Sequence, residues 1–283
     1  MLISSDGEGV RELYVNKGVR QGCPISPTLF NIYIDELMTV WRQNVDTGIN
    51  IGQGISLNSL MFADDTVIIQ DSEDKLQTAV YKLQNLSKEF KMKISTHKSK
   101  VMAFRGKWPV RSKIVLDDMT MEQVSSFKYL GCNVSFDCEN DIPMKLNKFN
   151  AICGTIHRIL KGKARKETEL KFYKTMAIPL VTYGSEVWTT TKRDDSRIQA
   201  SEMRFLRHVQ GYTRLDHIRN EVIREECNIQ PLADVIKQYR KRWTDHLLRM
   251  PHSRLPFQAW LSKPDGRRDV GRPRKRWKPE QAQ

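Results

Sequence analysis

Cysteine is scarce in this chain and poorly spaced for a structural task. The five are Cys23, Cys132, Cys138, Cys153 and Cys227. The number is odd and no two sit at CxxC spacing, which excludes zinc-ribbon and thioredoxin-like readings. Reduced thiols of a nuclear or cytoplasmic protein are the expectation. Long apolar runs are also missing. No stretch approaches the roughly 18 apolar residues of a membrane span, and only 39% of residues are apolar, with a mean hydropathy of −0.55. The opening MLISSDGEGVREL has no cationic start followed by an apolar core, so no secretory signal and no membrane partner are expected. Acidic residues are the third deficit: 33 against 47 Lys and Arg, a net charge of +14 over 283 residues. That length excludes a disulfide-stapled mini-protein and suffices for a buried core.

The deficit is local. Residues 1–100 hold 11 basic and 12 acidic side chains, net −1, so residues 101–283 hold 36 and 21, net +15. A near-neutral third joined to a basic remainder points to a polyanion-binding part beside a part with another task.

Periodicity locates the elements. Val10 to Asn16 reads as a strand, and 18–27 as a Gly/Pro loop. Ser26 is placed to cap the following helix, with Pro27 at its first position. Leu29, Phe30, Ile32, Tyr33, Ile34, Leu37, Met38 and Trp41 give that helix a wide apolar face. Leu60 to Ile69 reads as a hairpin tipped by Asp64 and Asp65. Ser72 caps a helix carrying Leu76, Val80, Leu83, Leu86 and Phe90. Strands are expected at 101–104, 113–116 and 127–134. Helices are expected near 141–160, 167–178, 194–210, 216–227 and 231–249, and the Pro/Gly-rich basic end after Pro251 is expected to be disordered without a partner.

The tetrapeptide Phe62-Ala63-Asp64-Asp65 carries the most chemistry. Adjacent carboxylates between apolar strands are costly unless they meet water or a cation. A solvated turn satisfies them; so does Mg²⁺, which takes a few carboxylate oxygens plus substrate phosphates. Context favours the cation. Upstream stands GVRQGCPISP followed by LFNIYI; downstream stand Lys98-Ser99-Lys100-Val101-Met102 and Phe127-Lys128-Tyr129-Leu130-Gly131. In this order the series resembles the palm motifs of reverse transcriptases from non-long-terminal-repeat, LINE-type retrotransposons. The similarity continues through YGSEVW at 183–188, RFLR at 204–207 and GRPRKRW at 271–277.

The resemblance implies roles. Asp64 and Asp65 match the acidic pair that binds catalytic Mg²⁺ in a two-metal site, the second as a weaker contributor. Arg20, Gln21, Gly22, Ser26, Pro27 and Ala63 match positions beside template and incoming deoxynucleoside triphosphate. Lys98 matches a basic residue near the nucleotide phosphates, and its alternative is an exposed loop lysine. Phe127, Tyr129, Leu130 and Gly131 match the hairpin gripping the primer end; ordinary core strand is the alternative. Lys161, Lys163, Arg165 and Lys166 form the best phosphate-binding loop of a basic helical stretch that also carries Lys145, Lys148 and Arg158. Arg272, Arg274, Lys275 and Arg276 suit a minor-groove arm, a nuclear-localisation patch or a nonspecific nucleic-acid arm equally. Trp277 beside them could stack on a base.

The implied fold is α+β: an incomplete polymerase palm at 1–135, an antiparallel sheet with two helices, then an all-helical thumb at 138–212 and a basic helical segment at 213–283. The implied partners are an RNA template, a DNA primer and deoxynucleoside triphosphates. The family places a further carboxylate on a strand before the GVRQG loop. Only 17 residues precede Gly18, and Asp6, Glu8 and Glu12 among them match neither its sequence nor its distance. The chain therefore reads as the C-terminal part of a longer polymerase, expected to be inactive alone. The competing expectation is a non-catalytic nucleic-acid-binding remnant.

Overall fold

The computed structural model describes residues 2–4, 11–13, 18–46, 48–52, 54–104, 110–136, 141–262 and 277. The fold is mixed α+β and divides into two compact units. The first comprises Met1–Val101 with Arg111–Gln123, the second Met102–Val110 with Val124–Gln283.

In the first unit the elements are β1 (Leu2–Ser4), β2 (Arg11–Leu13), α1 (Ser26–Asn44), β3 (Ile49–Asn50), β4 (Ser56–Leu57), β5 (Ser59–Phe62), β6 (Asp65–Ile68), α2 (Glu73–Glu89), β7 (Lys100–Val101), β8 (Val115–Leu116), β9 (Met119–Thr120) and β10 (Glu122–Gln123). The single antiparallel sheet expected for this region is not what forms. The described strands pair in separate two-stranded ladders, β1–β2, β3–β4, β5–β6 and β8–β9 antiparallel and β7–β10 parallel. Strands of two to four residues are too short to propagate a sheet, and side chains of α2 satisfy edge groups instead. Gln77 accepts from the Val115 amide (2.7 Å) and donates to its carbonyl (3.0 Å), and Glu73 accepts from the Lys113 amide at 2.7 Å. The strand expected at 101–104 stops at Val101.

Ser72 caps α2 by accepting from the Lys75 amide, and Glu73 and Asp74 complement the helix dipole. Its core contact is with α1: Trp41 is fully buried and donates Nε1 to the Ala79 carbonyl at 2.9 Å, beside Leu37 and Met38. Only that half of the expected apolar face of α1 is covered. Leu29, Ile32 and Tyr33 are exposed.

The second unit holds β11 (Ser126–Tyr129), β12 (Cys132–Ser135), α3 (Ile142–Leu160), α4 (Lys166–Phe172), α5 (Ile178–Thr182), α6 (Lys192–Gln210), α7 (Asn220–Cys227), α8 (Leu232–Leu248) and α9 (Leu255–Leu261). Tyr173–Ala177 joins α4 to α5 as a π-helical turn, because Pro179 has no N–H to return and the helix widens before it. Ile142, Leu146, Phe149, Cys153 and Ile156 of α3 meet Ile198, Phe205, Leu206 and Val209 of α6 in one core. A Thr191–Asp194 capping box starts α6 and Gly211, at φ 82°, ends it. The helix expected from 216 starts only at Asn220: Asp216 accepts from the Thr213 amide and hydroxyl, which turns the chain first. Buried Glu202 ties three helices together, taking Arg224 (2.7 and 3.2 Å) and the Leu232 amide (2.8 Å). Among the described residues no helix is long and apolar enough to cross a membrane.

Candidate functional site

The acidic hairpin forms as the alternation of its residues requires. In β5 and β6, Phe62 pairs with Asp65 across a two-residue turn of Ala63 and Asp64. Ser59 and Met61 face inward, Met61 and Ile68 packing against the Leu37–Trp41 cluster, while Arg42 of α1 donates to Ser59 Oγ at 3.2 Å. The tip is left in solvent: Phe62, Ala63, Asp64 and Asp65 are all exposed. Ala63 holds φ 52°, a left-handed conformation that costs an L-residue about 1 kcal/mol. Among the described residues neither carboxylate has a hydrogen-bond or ion-pair partner. Exposed, unpaired carboxylate oxygens are the donors a hard divalent cation takes. No third Asp, Glu, His or Cys joins them among the described residues.

The loop before α1 is organised around one carbonyl. Arg20 O accepts from the Cys23 amide (3.3 Å) and from the Ser26 hydroxyl (2.7 Å). Ser26 is thus a buried donor inside the first turn, and Ile25 occupies the N-cap position with no side-chain cap. The expected cap fails because Ser26 is itself the first helical residue, one position past the N-cap, and its hydroxyl turns back to donate to Arg20 O. Gly18 (φ 85°) and Gly22 (φ 82°) supply the left-handed bends, leaving Arg20, Gln21, Gly22 and Pro27 exposed. Cys23 has a property the sequence did not signal. A hydrogen bond from the Ile25 amide, first, holds its thiol below the usual range. Lys98 lies exposed in the turn before β7 and makes no hydrogen bond or ion pair among the described residues; the neighbouring Lys100 pairs with Glu122.

The hairpin of β11 and β12 lies in the second unit. Its turn is Leu130 (φ 47°) and Gly131 (φ 79°), and Phe127 is exposed. The Tyr183 hydroxyl donates to the Leu130 carbonyl at 2.7 Å. Below it sits Lys145, one of the lysines placed on the phosphate-binding face by the sequence. It is only 5% exposed. Its ammonium donates to the Tyr183 carbonyl, pairs with Asp141 at 3.7 Å and lies 4.9 Å from the Tyr183 ring centroid. Lys145 is therefore a structural cation, not a phosphate ligand.

The loop at 161–166 keeps its cations outside. Lys161, Lys163, Arg165 and Lys166 are all exposed. Lys166 donates to the Gln210 carbonyl and side chain at the end of α6, while the other three side chains make no hydrogen bond or ion pair among the described residues. Arg272, Arg274, Lys275 and Arg276 lie outside the described residues. Trp277 is half-buried, with its Nε1 donating to the Glu186 carbonyl at 2.7 Å, so its indole is already engaged by protein.

Comparison with known proteins adds a common theme. Residues 1–134 match the family described as reverse transcriptase (RNA-dependent DNA polymerase). A transposon-derived protein of Caenorhabditis elegans is 25% identical over 239 residues, covering 79% of this chain and 84% of that protein. The Pol polyprotein of a type-2 retrotransposable element of Drosophila melanogaster is 25% identical over 62% of this chain, and the RNA-directed DNA polymerase from mobile element jockey of Drosophila funebris 22% over 89%. The chain spans 17% of the length of the former and 28% of the latter.

Proposed function

From the match of residues 1–134 to the reverse transcriptase family, and from relatives that include a retrotransposable-element Pol polyprotein and the RNA-directed DNA polymerase of a mobile element, we propose that the chain serves RNA-directed DNA synthesis as part of a non-long-terminal-repeat retrotransposon polymerase. The substrates would be an RNA template, a DNA primer 3′ end and deoxynucleoside triphosphates. The observation that carries this reading is the acidic hairpin tip: two exposed carboxylates without partners among the described residues, at the end of a strained turn within the matched span.

Reverse transcriptases generally use divalent metal ions, and Mg²⁺ is the ion proposed here. Asp64 and Asp65 would hold it through their carboxylate oxygens, two of the ligands such a site needs. When bound, the metal supplies charge neutralisation on the phosphates and on the attacking and leaving oxygens. The rest falls to the chain. Arg20, Gln21, Gly22 and Pro27, with Ala63, offer an exposed loop and turn with little side-chain bulk at Gly22 and Ala63, suited to close approach by a nucleotide and template, and buried Ser26 would hold the loop in place from beneath through Arg20 O. Lys98 carries an exposed ammonium, without an ion-pair partner among the described residues, suited to a phosphate or to protonating the leaving pyrophosphate. Residues 1–135 would act as a palm, with Phe127, Tyr129, Leu130 and Gly131 at the primer end; 138–212 would act as the thumb and 213–283 as a basic extension.

The test is primer extension on an RNA template with Mg²⁺. Incorporation that disappears in Asp64→Ala supports the reading. A second reading, nucleic-acid binding without catalysis, is favoured, among the described residues, by exposed cations without acidic partners at Lys161, Lys163 and Arg165 and by the lack of a third acidic ligand. Salt-sensitive duplex binding with no incorporation would select it over the first.

A further inference from the structure

The segment YGSEVW at 183–188 takes no part in the chemistry above, yet it is built into the hairpin assigned to the primer end. The Tyr183 hydroxyl donates to the Leu130 carbonyl at 2.7 Å. Its ring lies under the next residue: a Cβ added at Gly131 would stand 3.0 Å from the ring edge. At Gly184, φ 72°, a Cβ would stand 2.3 Å from Cys132 Sγ, so backbone meets the first residue of β12 with no room between. The turn is thus touched at three successive residues, 130, 131 and 132.

The turn needs that support. Two consecutive left-handed residues match the twist of a tight hairpin, but a leucine at φ 47° enters that region at a cost. Such conformations persist where their surroundings over-determine them. Tyr183 is itself immobilised. Lys145 donates to its carbonyl and packs over its ring; Asp141 holds Lys145; and the Trp188 indole holds Asp141 at 2.5 Å.

We propose that Tyr183 is a positioning residue that clamps the Leu130–Gly131 turn onto the helical unit and thereby sets where the hairpin presents a primer 3′ end. The proposal rests on the polymerase reading above. Tyr183 acts through Leu130 and Gly131 and touches no reacting atom. Support of this kind matters because small displacements of an aligned 3′ oxygen cost rate rather than affinity.

Two variants test it in the full chain. Tyr183→Phe keeps the ring and removes one donor. Gly131→Ala places a methyl against the ring and an L-residue at φ 79°. Alkylation of Cys132, followed by peptide mass spectrometry, reads the clamp without catalysis; buried Cys153 reports global unfolding in the same sample. Tyr183→Phe should label Cys132 about fivefold faster, the factor expected for one net hydrogen bond, with Cys153 unchanged. Turnover at saturating nucleotide should fall by a similar factor, with the nucleotide KM and duplex affinity unchanged. Gly131→Ala should do the same or more, and Tyr183→Phe decides alone if Gly131→Ala unfolds. Unchanged Cys132 labelling in Tyr183→Phe overturns the clamp. Faster labelling with unchanged turnover overturns its role in extension. If no form extends a primer, wild type included, the polymerase reading is what fails, and the labelling still decides the clamp.

Discussion

The indole Nε1 of Trp188 donates to Asp141 Oδ1 at 2.5 Å, and both side chains are buried. This bond orients the carboxylate that faces buried Lys145, so one aromatic residue of YGSEVW organises an ion pair at the start of α3. A charge left alone there has no water to turn to. Lys145→Met should cost about 3–5 kcal/mol, because it strands Asp141. Asp141→Asn should cost a similar amount. The double variant should cost clearly less than the two together, since neither charge then remains unpaired. Urea denaturation of the three variants measures this. Strict additivity would mean the pair is not coupled.

The acidic tip should behave in the opposite way. Asp64 is exposed and has no partner among the described residues. Asp64→Asn should therefore leave stability within about 0.5 kcal/mol of wild type while removing whatever Mg²⁺-dependent incorporation the wild-type chain supports. Parallel thermal melts and extension assays check the two halves. A large loss of stability would reassign Asp64 to the fold.

The cysteines should separate by pH. The Ile25 amide, first, lowers the Cys23 thiol from its ordinary value of 9.0, while burial pushes Cys153 up to about 12. The thiolate is the nucleophile, so a lowered pKa means more reactive thiol at neutral pH. Iodoacetamide should label Cys23 readily at pH 7, with half-maximal rate below pH 9. Cys153 should resist until the chain unfolds. Equal labelling of the two at pH 7 in the folded protein would contradict the local geometry at Cys23.

Charge at the 161–166 loop should appear in the salt dependence of binding. Lys161, Lys163 and Arg165 are exposed cations without acidic partners among the described residues. Replacing all three with Gln should lower the slope of log K against log salt for duplex by about 2–3, near 0.9 for each phosphate no longer neutralised. An unchanged slope would mean that the duplex phosphates are neutralised by other residues.

Local regularities were legible early. The Ser72 cap and the apolar spacing of α2 produced a helix at Glu73–Glu89, and alternation around two aspartates produced the β5–β6 hairpin. Caps and periodicities act over a few residues, so their signal lies in adjacent letters. Ser26 shows the limit of that signal. A serine before a helical run looks like a cap, yet its hydroxyl donates to Arg20 O, and both bonding modes fit the same letters.

The sequence by itself determined the family motifs, the order of elements and the acidic hairpin, because each depends on short-range pattern. Tertiary structure decided which charges are surface and which are buried. Lys145 and Lys161 look alike in a basic helical stretch; one is held by Tyr183, 38 residues away, and the other stands in solvent. It likewise decided that the Leu130–Gly131 turn is held by Tyr183, 53 residues away from Leu130. The cost of burying a charge, or of holding a leucine at positive φ, is met by groups distant in sequence, and only folding brings those groups together.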